Sequence, residues 1–65
     1  MTSLSKKELT YLQDTIGLER NQVKFFQGCA ETSMDNQVKM LCEDMAKDHQ
    51  QSIQVLSKHI NNASF

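Results

Sequence analysis

The side chains of this chain that could do chemistry are few: a histidine, a glutamate and two cysteines in telling places. His49 stands in "MAKDHQQS", where an apolar stripe should continue, and Glu19 interrupts a second stripe in the same way. An imidazole and a carboxylate held together can satisfy one another by hydrogen bonding, or can serve as ligands to zinc or iron. Cys29 and Cys42 are the only thiols. Two cysteines are too few for a disulfide scaffold, and they lack zinc-finger spacing. No residue has the base and orienting partner that nucleophilic catalysis requires, so a non-enzyme is expected, with no catalytic residues.

The elements that must carry these groups are helices. The chain has no proline and only two glycines, and it is rich in good helix formers. "SKKE" (Ser5 to Glu8) reads as a capping box, with Leu4 before it as the staple residue. From there Leu9, Leu12, Ile16, Val23, Phe26 and Ala30 recur at helical spacing, with Glu19 in the gap. Gly17 and Gly28 read as tolerated, at places where another helix approaches. "ETSMDNQ" (Glu31 to Gln37) is the one cluster of turn formers, in which Ser33 or Asp35 can cap a second helix. That helix carries Val38, Leu41, Cys42, Met45, His49, Ile53, Leu56 and Ile60 on one stripe. "NNASF" at the end has no pattern and is expected to fray. The reading is therefore one all-α domain over residues 1–65: helix 1 over about 5–31, a turn at 32–35 and helix 2 over about 36–60.

A short turn makes the two helices an antiparallel hairpin. Positions whose numbers sum to about 67 then lie at one level. Glu19 and His49 sum to 68, so the two polar interruptions should face each other. The same arithmetic sets Cys29 near Val38 and Cys42 near Phe25. The cysteines then point to different stripes, a poor geometry for a disulfide, and read as small buried hydrophobes.

Both helices carry more apolar surface than one neighbour can cover. Helix 1 has a second, offset stripe of Tyr11, Leu18, Phe25 and Cys29, read as an interface. A chain of this length is marginal as a lone monomer. A homodimer of hairpins closing into a four-helix bundle is the expected solution. In it, two-fold symmetry would bring two glutamates and two histidines to one layer. Glu19 and His49 are accordingly the candidate metal ligands for a transition metal, with no other cofactor expected.

Net charge is −1 and the charges are interspersed, so no basic face invites nucleic acid. No signal peptide or membrane-length apolar run is read, and a soluble cytoplasmic protein with reduced thiols is the expectation.

Two stretches carry a resemblance. "ERNQVKFFQGCAE" has a glutamate with an aromatic seven positions later and a small residue beyond. "DNQVKMLCEDMAKDHQQSIQVL" has an alanine three positions before the polar residue. Together, over Leu9 to Ile60, they resemble the first helical pair of ferritin-like proteins, and especially the small CotF-type spore coat proteins of spore-forming bacteria. The resemblance implies a ferritin-like bundle with a structural or interaction role and a place in the spore coat. Iron-binding members carry Glu-x-x-His after such an alanine, whereas here the matching positions are His49 and Ser52. Serine coordinates transition metals poorly, so a working di-iron site is not expected. A docking regulator, using the Tyr11/Leu18/Phe25 stripe on a protein partner, is the remaining alternative. "SKKELT" resembles in part the signature of small two-helix phosphatases of sporulation response regulators, with Thr10 where their acid belongs.

Overall fold

The computed structural model describes residues 2–64. Two long helices make up nearly all of it: α1, Lys6–Thr32, and α2, Asn36–Asn61. They pack antiparallel as a hairpin. Each begins where its sequence provides a cap. The Ser5 hydroxyl accepts from the Glu8 amide at 3.1 Å, and Glu8 accepts from the Ser5 amide at 3.1 Å. Two orphan donors of the first turn are satisfied in this way. These bonds, the one from the Ser5 amide first, hold the Glu8 carboxyl below the usual glutamate range. At α2 the cap is Asp35, which accepts from the Gln37 and Val38 amides at 2.8 and 3.0 Å. Ser33 instead ends α1: its amide donates to the Cys29 carbonyl, and its hydroxyl holds the Asp35 backbone. One turn thus closes one helix and opens the next.

At the other end of the hairpin the chain does not simply fray. Thr2–Ser3 (β1) and Ala63–Ser64 (β2) form a two-residue parallel pair, with Thr2 opposite Ala63. Such a pair is too short to leave a pattern in the sequence. Leu4, next to it, is buried, as a residue just before a helix cap can be when it packs back on the first turns.

The seam between the helices is a regular set of three- and four-residue steps. On α1 it runs Leu9, Leu12, Ile16, Glu19, Val23, Phe26 and Ala30; on α2 it runs Cys42, Ala46, His49, Ile53, Leu56 and Ile60. Every one of these is buried or half-buried. Val38 and Leu41, expected on this stripe, are exposed instead. The broad apolar face of α2 divides: the smaller Ala46 turns inward, while Leu41 turns onto a flank.

That flank has a simple rule. Tyr11, Leu18, Phe25, Leu41 and Val55 each immediately precede a seam residue, and each is between 61 and 69 % exposed. Residues that immediately follow those same seam positions are polar: Gln13, Arg20, Gln27, Glu43, Gln50 and Ser57. In an antiparallel pair, equivalent offsets on the two helices fall on the same flat side. Grooves between the helices on the second side are indeed lined by Gln27, Glu43 and Gln50 near the turn, and by Gln13, Arg20 and Ser57 near the open end. The hairpin therefore has one apolar face and one polar face.

With Cα extents of 47 × 17 × 10 Å, the protein is a single layer of helix. Among the described residues no side chain is less than 2 % exposed. A stable domain ordinarily packs at least two layers around its core. Gly17 and Gly28 meet no such second layer within the hairpin: a Cβ built on either finds nothing within 4 Å. The expectation of a close helix approach at the glycines does not hold inside one chain.

Candidate functional site

Glu19 is the fourteenth residue of α1 and His49 the fourteenth of α2. Equal distances from the turn bring them level in the middle of the seam. His49 Nδ1 and Glu19 Oε2 are hydrogen-bonded, each side chain 23 % exposed. With a carboxylate as acceptor, Nδ1 carries the proton and Nε2 is left free. The imidazole lies flat against Phe26, ring centroids 5.5 Å apart and planes 13° from parallel. Phe26 in turn meets the exposed Phe25 edge-on at 5.6 Å. Aromatic contact on one side and a carboxylate on the other fix the ring's orientation. The adjacent shallow groove is lined by Glu19, Asp48, Ser52 and Val55, so the pair is approached from the apolar face.

This arrangement suits a register pin. An imidazole and a carboxylate facing one another satisfy each other only when the helices are in this alignment, and a slip of one turn would leave both unpaired. As a metal centre it is incomplete. Structural zinc takes four protein ligands and catalytic zinc three. Among the described residues no group of three or more His, Cys, Asp or Glu side chains is placed to hold a metal ion. One hairpin supplies two donors, with Nδ1 already engaged by the carboxylate.

The cysteines are placed otherwise than the level arithmetic predicted. Cys29 and Cys42 are joined as a disulfide across the hairpin, with Cα atoms 6.1 Å apart. The expectation of two separate reduced thiols is corrected, and with it the place of Cys29 on the outer stripe. Cα–Cβ bonds tilt toward the N-terminus of their own helix. Cys29 therefore leans away from the turn and Cys42 toward it. Their three-residue offset, about 4.5 Å along the axis, closes from both sides. Tyr11, Leu18 and Phe25 do stand exposed together on α1. Sequence reasoning missed the bonded pair, although the tilt would have found it.

No helix among the described residues is long and apolar enough to cross a membrane. The chain matches no protein-family model, no curated protein and no solved structure. The fold and the site together define an antiparallel helical hairpin with a polar pair at mid-seam and an uncovered apolar face.

Proposed function

We propose that the protein is a non-catalytic structural module whose hairpins stack, apolar face to apolar face, into a homodimeric four-helix bundle of ferritin-like architecture. The observation that carries this reading is the uncovered face of a one-layer molecule. Tyr11, Leu18, Phe25, Val38, Leu41 and Val55 expose apolar side chains there. At the sizes usual for such residues they amount to roughly 600–700 Å², close to the ~800 Å² per partner of a standard interface. A second copy supplies both the missing layer and a matching area. The paired Glu19 and His49 of two copies would then stand in one central layer, setting the register of four helices. The resemblance of the two helical stretches to CotF-type proteins supports a role in the spore coat.

The test is the mass in solution by light scattering after size-exclusion chromatography. The native chain is expected at twice its own mass at micromolar concentration. Leu18→Glu with Phe25→Glu should halve that mass, because each change puts a charge into the buried centre of the interface. A monomeric native chain at high micromolar concentration would sink the dimer. Detection of the chain in extracted spore coats tests its location, and absence there would remove that part of the reading.

A further inference from the structure

We propose that Cys29 is a site of thiol–disulfide exchange with small thiols, at which an external thiol opens the hairpin's turn end and leaves a mixed disulfide on Cys29. The two sulfurs of the Cys29–Cys42 bond are not equivalent. Cys42 is 5 % exposed, packed in the seam of α2, whereas Cys29 is only half-buried. Exchange is an in-line displacement, so the attacked sulfur must be open on the side away from its partner. Cys29 meets that condition and Cys42 does not.

The choice of leaving group points the same way. Cys29 lies in the last turn of α1, which ends at Thr32. The partial negative charge of a helix C-terminus disfavours a thiolate there. Cys42 has Lys39 one helical turn before it, and a neighbouring cation favours a thiolate. In the first step an external thiolate attacks Cys29 Sγ. A new sulfur–sulfur bond forms to Cys29, the Cys29–Cys42 bond breaks, and Cys42 departs as a thiolate that takes a proton from solvent. Attack of the Cys42 thiolate back on Cys29 expels the small thiol and restores the bond, with no net change in oxidation state.

The surroundings give this step a structural consequence. Near the turn the seam is made of small residues, Ala30, Cys42 and Ala46, while the leucines and isoleucines sit toward the open end. With little apolar area to hold it, the turn end relies on the bond, and exchange at Cys29 releases that end selectively.

The experiment uses the oxidised protein under native conditions with reduced glutathione as the probe, quenched with acid at short times. Trypsin cuts at Lys24, Lys39 and Lys47 and so separates the two cysteines for mass spectrometry. Glutathione is expected on Cys29 in at least about tenfold excess over Cys42 at early times. Equal labelling, preferential labelling of Cys42, or labelling only in denaturant that unfolds the helices would each overturn the proposal. The single variants give an independent reading: the lone thiol of Cys42→Ser should react with an aromatic disulfide reagent faster than that of Cys29→Ser. Equal or reversed rates would also overturn it.

Discussion

Removing the Cys29–Cys42 bond should cost a large fraction of the protein's stability. The two residues are 13 apart in sequence. Closing a loop of that size in the unfolded chain removes about 10 cal/mol/K of entropy, or about 3 kcal/mol at 25 °C. Domains of this size carry roughly 3–10 kcal/mol in total. The loss therefore ranges from about a third of the stability to nearly all of it. For a small domain each kcal/mol moves the midpoint by about 4–8 °C, which makes the expected fall roughly 10–20 °C. The measurement is thermal melting by circular dichroism at 222 nm, with and without a phosphine reductant and at one fixed protein concentration. A double variant, Cys29→Ala with Cys42→Ala, should melt near the reduced native chain and show no response to reductant. A native chain whose midpoint moved less than about 4 °C would refute the reasoning. It would mean either that the bond does not form in solution or that the unfolded turn segment is already as constrained as the bond makes it.

Two further outcomes follow from the site and from the first cap. Replacing both Glu19 and His49 by leucine should preserve the hairpin and leave its midpoint unchanged or raised by up to about 2 kcal/mol equivalent, since an apolar pair often replaces a buried polar pair without loss; His49→Leu alone should do worse, because Glu19 is left unpaired, and collapse of the double variant would count against the register pin. Glu8 has its carboxyl held below the ordinary range by bonds with Ser5, so its contribution is present above the unfolded glutamate range and fades as pH falls from about 5 through the folded value. Glu8→Gln should flatten the acid limb of a midpoint-against-pH curve, and an unchanged slope would show that the cap does not couple to protonation.

The hairpin could be read from residue spacing because each of its signals is local. Steps of three and four along Leu9 to Ala30 define a helix face, "SKKE" defines a start, and the turn cluster at Glu31 to Gln37 defines a reversal. The meeting of Glu19 and His49 was also legible, since equal distance from a turn needs no side-chain detail. The cysteines were not, because level arithmetic treats side chains as perpendicular to the axis. The tilt of each Cα–Cβ bond matters most for a short side chain that must touch a particular partner atom. Val38 and Leu41 were placed on the seam because apolar type alone does not distinguish a facing position from a flanking one. Only the neighbouring helix decides which part of a wide stripe it covers, and here it prefers the small Ala46. The β1–β2 pair was invisible for another reason: two residues on each side carry no periodicity, and the partners lie at opposite ends of the chain.

That small pair has a consequence for how the hairpin can be joined to other polypeptides. Thr2 and Ala63 are hydrogen-bonded neighbours in register, and adjacent strands lie about 4.8 Å apart. Both ends of the described chain leave the same edge of the molecule, on the side remote from the turn. A loop in a host protein could therefore receive the whole hairpin through a gap little wider than one strand spacing. The host backbone would enter at Thr2 and resume after Ala63 with no linker to span the length of the helices. The turn would then project as the far tip of an arm some forty ångströms long, a length set by the rise of a 26-residue helix at about 1.5 Å per residue.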